Sequence, residues 1–259
     1  MRTSIGVGLI GMGVVGSGVA RLIIEGSSTL RNQVGLPLNL NKVAVRDSRK
    51  QRSFPIGKNI LGEEPEKLIK DDSVQIIVEL MGGEHPALEF ILGAVKNGKH
   101  VVTANKEVIS KHGAEIFSLA RENNVRVLFE ASVGGGVPII SPLMRDLVAN
   151  DVKSIKAIIN GTTNYILTRM ANEQVNYESV LSEAQKLGYA ESDPTNDVEG
   201  IDAAYKLSIL STLAFRSSIK NTDIFTEGIT NLTDKDFQYA EELGYSIKLL
   251  AIATRMESR

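Results

Sequence analysis

An α/β fold, with a parallel sheet covered on both faces by helices and followed by an α+β unit, is what this sequence predicts. Three observations carry that expectation. Short β-branched runs alternate with helical patterns through the first half, a glycine-rich turn joins the first run to the first helix, and the pattern changes character after Glu130.

The first run, residues 4–10, is apolar and ends in glycines, after which Val14, Val15, Val19, Leu22 and Ile23 recur at helical spacing. Further strands are expected at 42–46, 74–79, 100–103 and 125–129. Helices are expected at 86–97, stopped by Gly98, and at 113–123. Strands and helices alternating at these lengths describe a parallel sheet buried on both sides. Beyond Glu130 a glycine-rich loop, 132–137, leads to a helix expected to start at Pro138, where proline suits the first turn. A strand at 155–159 follows, then helices at 162–170 and 177–187, a polar segment at 191–197 and a long helix from about 199 to 215. A helix at 234–243 and a strand at 245–254 end the pattern. The expected domains are 1–135 and 136–259.

With 259 residues, 42% of them hydrophobic, the chain has the apolar content for a sizeable core. A net charge of -2 gives no global pull toward nucleic acid or anionic membranes. Cysteine is absent, which excludes disulfides, thiolate metal sites and a cysteine nucleophile, and fits a reducing compartment. No apolar stretch is long enough to span a bilayer, and the first residues lack a signal-peptide layout, so a cytoplasmic location is expected.

Gly11, Gly13 and Gly16 form G-x-G-x-x-G in GMGVVG, between a predicted strand and a predicted helix. The first glycine permits the tight turn, the second lets main chain approach a pyrophosphate, and the third lets helix and strand pack closely. That context favours a dinucleotide site of the Rossmann type over an empty turn. The second strand ends in AVRDSRKQR. An acidic residue there would accept the ribose hydroxyls of NAD, whereas an arginine can neutralise the 2′-phosphate of NADP. Arg46 comes before Asp47, which favours NADP and leaves NAD possible. Lys106, in the run Thr103 to Lys106, stands at the C-terminal end of the fourth expected strand, the edge where open parallel sheets bind ligands.

Hydride transfer from an alcohol needs a group to carry the proton. His85, His100 and His112 are scattered at element boundaries and do not suit it. The segment GYAESDPTNDVEGIDAAYKL gathers Glu191, Asp193, Asp197, Asp202 and Lys206. Asp202 and Lys206 lie four apart, on one helical face, and can meet. The apolar residues around them make a cleft-lining pair more natural than an exposed one.

At this point the sequence resembles the homoserine dehydrogenases. The motifs GMGVVG, TANK, EASVGGGVPII, NGTTNYIL and GYAESDPTNDVEGIDAAYKL stand in that family's order across nearly the whole chain. The resemblance implies NAD(P)-dependent interconversion of L-homoserine and L-aspartate 4-semialdehyde, in the threonine, methionine and isoleucine branch of amino-acid biosynthesis. It implies that Glu191 and Asp202 bind homoserine, that Lys206 exchanges the proton, and that Lys106 is a second active-site lysine near nicotinamide and substrate. Met12, Val14, Val15, Thr103, Lys106 and Gly188 match cofactor-contacting positions. Glu130, Val133, Gly135 and Val137 match a monovalent-cation site, with sodium as its expected ion, although by themselves they read as a glycine-rich hinge. The resemblance also implies a homodimer built through the second domain, and a catalytic domain that continues past Arg259. An aspartate semialdehyde dehydrogenase would need the missing cysteine nucleophile. A non-catalytic dinucleotide sensor would need neither Asp202 nor Lys206.

Overall fold

The computed structural model describes residues 3–173 and 175–256; positions 1, 2, 174 and 257–259, parts of the two expected domains, lie outside the described residues. The chain divides into two compact units, Met1–Ile139 and Ile140–Arg259.

In the first unit six parallel strands form one sheet: β1 (Ile5–Ile10), β2 (Leu38–Ala44), β3 (Leu61–Gly62), β4 (Ile76–Glu79), β5 (His100–Thr103) and β6 (Val127–Leu128). Their order is β3-β2-β1-β4-β5-β6, so the winding reverses between β1 and β4. That is the Rossmann-type sheet the sequence predicts, and ligands of such sheets bind outside the strand ends at the reversal. The helices are α1 (Val14–Glu25), α2 (Ser27–Val34), α3 (Pro65–Lys70), α4 (Ala87–Lys96) and α5 (Lys106–Glu122). Val7, Leu9, Ala20, Ile23, Val43 and Val78 pack between sheet and helices, each of the valine, leucine and isoleucine side chains stabilising the unit by about 1.5–3 kcal/mol.

Several boundaries differ from expectation. β2 runs from Leu38 to Ala44 rather than over 42–46, because it pairs with β1 from Leu38 onward, while β3 meets only Val43 and Ala44. Its first half is therefore an edge that alternates apolar with polar and lacks the continuous run of a covered strand. α5 starts at Lys106, not at 113, since Asn105 caps it by accepting a hydrogen bond from the Val108 amide at 3.1 Å. No helix starts at Pro138: a 3-10 turn covers Glu130–Ser132, and a π-helical turn, Pro142–Asp146, follows.

The second unit holds an antiparallel pair, β7 (Ser154–Ala157) and β8 (Ala251–Thr254), with helices α6 (Gly161–Glu173), α7 (Tyr177–Lys186), α8 (Thr195–Val198), α9 (Ile201–Phe215) and α10 (Asp234–Glu242). Its core joins Ile166, Leu167 and Met170 of α6 to Val180 and Ala184 of α7, with Val198 and Phe237. The strand expected at 245–254 forms only over its last four residues, the length that β7 can pair. α9 buries residues around most of its circumference, Asp202 among them.

Candidate functional site

β1 delivers the chain to Gly11, whose φ of +92° is left-handed. A methyl group there would also lie 2.6 Å from the Leu80 carbonyl oxygen, so main chain passes main chain with no room for a side chain. At Gly16 a methyl would meet the Gly11 oxygen at 2.2 Å, the close helix-to-turn approach that the third glycine of the motif provides. Gly13 differs, since a methyl there would meet nothing within 4 Å: the space in front of it is open. Gly13 also precedes α1 with no side-chain cap and no acidic residue in the first turn, which leaves the amides and positive end of α1 facing that space. Val14 and Val15 are 90% and 60% exposed beside it, whereas the Met12 side chain is buried in the core and leaves only main chain for a ligand. These features fit a pyrophosphate-bearing dinucleotide.

Past β2, Arg46 is exposed and its side chain makes no ion pair among the described residues. The other two guanidiniums of the loop have partners: Arg49 pairs with Asp47 at 3.3 Å, and Arg52 donates to the carbonyls of Asp47 and Lys50. Arg46 is thus the guanidinium of this loop that a 2′-phosphate can recruit.

The ends of β4 and β5 carry a buried polar network. Thr103 donates to Glu79 at 2.6 Å and accepts from the Asn105 amide at 2.9 Å, and the Asn105 side chain donates to the Gly83 carbonyl at 2.7 Å. Lys106 follows directly and is partly buried. Further along the same edge Glu84 accepts from Lys111 at 2.6 Å and from His112 at 2.7 Å. Lys111 first, then His112, hold the Glu84 carboxyl down from an ordinary 4.5 to about 2. His85 meets Glu89, and His100 accepts from the Arg126 amide. All three histidines are held in contacts within this unit.

The loop after β6 closes on itself. Glu130 accepts from the Ile139 amide at 2.6 Å, Val133 is buried, Gly135 has φ +59° and Val137 is 67% exposed. Among the described residues no cluster of histidine, cysteine and carboxylate side chains has metal-binding spacing, so a cation here would depend mainly on main-chain oxygens.

In the second unit Asp202 and Lys206 meet at 2.7 Å. Asp202 is 2% exposed, and its Oδ2 also accepts from Asn160 Nδ2 at 2.9 Å. Asn160 donates in addition to Asp197 at 2.7 Å, while its oxygen accepts from the Thr163 amide at the start of α6. Lys206 donates to the Ile159 carbonyl at 2.8 Å. An ammonium carries three hydrogens; two face Asp202 and Ile159, which leaves a third to donate. Asn160 was not singled out by sequence reasoning. It lies inside NGTTNYIL, but an asparagine before a helix reads as a cap, and its partners stand 37 and 42 positions away.

The other predicted residues are more exposed. Glu191 lies on the surface, where its carbonyl accepts from Gln185 at 3.0 Å, and Gly188 ends the turn after α7. Asp193 is a turn residue that accepts from the Thr195 hydroxyl and amide, bonds that lower its pKa. A cavity of about 760 Å³ lies elsewhere on α9, lined by Ala203, Leu207, Phe215, Ile224 and Ala251 but not by Asp202 or Lys206.

A doubly wound sheet with an uncapped glycine turn at its reversal defines the first unit as a nicotinamide-dinucleotide-binding domain. Family models agree: homoserine dehydrogenase, NAD binding domain, matches residues 11–130, and homoserine dehydrogenase matches 138–259. A homoserine dehydrogenase structure from Thiobacillus denitrificans is 46% identical, with a TM-score of 0.93 over 98% of this chain and 59% of that one. A structure from Archaeoglobus fulgidus carrying the same family name is 35% identical, with a TM-score of 0.85 over 97% of this chain and 81% of that one. A hyperthermophilic archaeal homoserine dehydrogenase in complex with NADPH is 25% identical, with a TM-score of 0.77 over 97% and 79%. The chain belongs to the homoserine dehydrogenase family. It spans 59% of the length of the curated Bacillus subtilis relative, to which it is 43% identical.

Proposed function

We propose that the protein interconverts L-homoserine and L-aspartate 4-semialdehyde with NADP, NAD being the alternative cofactor. The observation that carries the chemistry is the Asp202–Lys206 pair, a buried carboxylate holding an ammonium that keeps one hydrogen to give. In the direction of aldehyde reduction Lys206 hands that proton to the substrate oxygen; in the direction of oxidation it takes one back. Asp202 and Glu191 hold the substrate ammonium, and Lys106 acts as the second active-site lysine. NADP, when bound, accepts or supplies the hydride at its nicotinamide. Gly11, Gly13, Gly16, Val14 and Val15 receive its pyrophosphate, Arg46 its 2′-phosphate, and Thr103, Lys106, Gly188 and the main chain of Met12 complete its contacts.

Support for NADP comes from exposed Arg46 and from the archaeal relative in complex with NADPH. Glu130, with the carbonyls of Val133, Gly135 and Val137, offers the hard oxygen donors that sodium takes. The family suggests a homodimer, and no helix among the described residues is long and apolar enough to cross a membrane. We place the protein in the cytoplasm.

The test is nicotinamide absorbance on mixing the protein with L-homoserine and NADP, beside Lys206→Ala. Turnover should fall by roughly 100-fold or more in the variant while NADP affinity changes little. Wild-type-like turnover in Lys206→Ala would remove Lys206 from the mechanism. Binding of NADP by the unsubstituted protein with no reaction on homoserine would overturn the substrate.

A further inference from the structure

Glu79 is a carboxylate with no solvent exposure, and none of the roles above uses it. No lysine, arginine or histidine pairs with it among the described residues; it accepts from the Thr103 hydroxyl at 2.6 Å and from the Met81 amide at 2.7 Å. Burying an ionisable group among neutral donors is costly, so its place in the fold is informative. Glu79 is the last residue of β4, in register with Ile10 of β1 and Thr103 of β5. It stands at the winding reversal, where the two mononucleotide halves of such a sheet divide and the dinucleotide crosses.

We propose that Glu79 is a positioning residue for the nicotinamide half of the cofactor. A carboxylate only accepts, so it forces Thr103 to donate and turns the Thr103 lone pairs toward the Asn105 amide. Asn105 is then fixed by three bonds: to Thr103, to the Val108 amide and to the Gly83 carbonyl. The other Glu79 oxygen fixes Met81, next to Leu80, whose carbonyl packs against Gly11. One buried side chain thereby holds both loops beyond β4 and β5, and with them the main chain that leads into Lys106. By the symmetry of the fold, β1 to β3 serve the adenosine half and β4 to β6 the nicotinamide half, so Glu79 acts mainly on the second, reaching the pyrophosphate turn only through Leu80.

The inference rests on the proposed binding of NADP, not on homoserine as substrate. Calorimetric titration of the protein with NADPH and with 2′-phospho-ADP-ribose, which lacks the nicotinamide, separates the two halves. The unsubstituted protein should bind NADPH more tightly, and Glu79→Gln should narrow that gap by about tenfold, with the fragment's affinity falling far less than that of NADPH. Thr103→Val, which removes the donor and keeps the shape, should give the same result and serves if the glutamine variant does not fold. Parallel loss of both ligands would reduce Glu79 to a structural residue, and an unchanged gap, or no gap at the outset, would also overturn the proposal. If the gap narrows in a protein that does not oxidise homoserine, the substrate reading falls and this one stands.

Discussion

The two units present polar chemistry in different ways. At the reversal of the sheet the first unit works by leaving things out: glycines without side chains, a helix without a cap, and a buried carboxylate met only by neutral donors. The second unit works by putting side chains in, with Asp202 buried against Lys206 and Asn160. Main-chain amides suit a cofactor that many enzymes share, whereas a placed acid and ammonium would, in the proposed function, serve one reacting centre. The difference teaches that substitutions in the two units should fail differently.

The largest contrast is expected within the glycine motif. Gly16→Val would drive a Cβ to 2.2 Å from the Gly11 oxygen and should destabilise the first unit by roughly 2–4 kcal/mol, seen as a lowered thermal midpoint. Gly13→Ala adds its methyl to open space, so the melt should barely move while calorimetry shows dinucleotide affinity falling about tenfold. A Gly13→Ala protein with unchanged affinity would mean that no ligand approaches there.

A smaller effect is expected in the second unit. Asn160→Ala removes the amide that bridges Asp197 and Asp202, which should cost about 1–3 kcal/mol in denaturant unfolding and lower turnover, with NADP affinity intact. Loss of NADP affinity in that variant would break the division of labour between the units.

The smallest effect concerns pH. Glu84 titrates near 2 in the folded protein against an ordinary 4.5, so its contribution is fully present above about 4.5 and is lost as pH falls toward 2. Glu84→Gln should flatten the acid limb of the stability curve in that window. An unchanged limb would assign acid unfolding to other carboxylates.

Much of this was legible in the sequence, for identifiable reasons. β4 and β5 lie inside the sheet and read as short runs rich in β-branched residues, and β1, interrupted by Gly6 and Gly8, is still apolar throughout. α2 escaped notice because SSTLRNQV buries no side chain and so carries no apolar stripe. β3 is two residues long, too short for any periodicity. The Asp202–Lys206 contact was readable because helical spacing places it. Asn160 was not, because its contacts are made by folding and leave no trace in local spacing. Nor was Glu79, which at the end of an apolar run looks like the residue where a strand reaches solvent.

Asp202 and Lys206 share one helix, one turn apart, so helical pitch sets their backbone separation, and Asn160 and the Ile159 carbonyl hold the side chains that close the contact. For protein engineering this makes the pair a compact cassette: the exposed loop carrying Gly188 and Glu191 can be redrawn without touching the helix that holds Asp202 and Lys206.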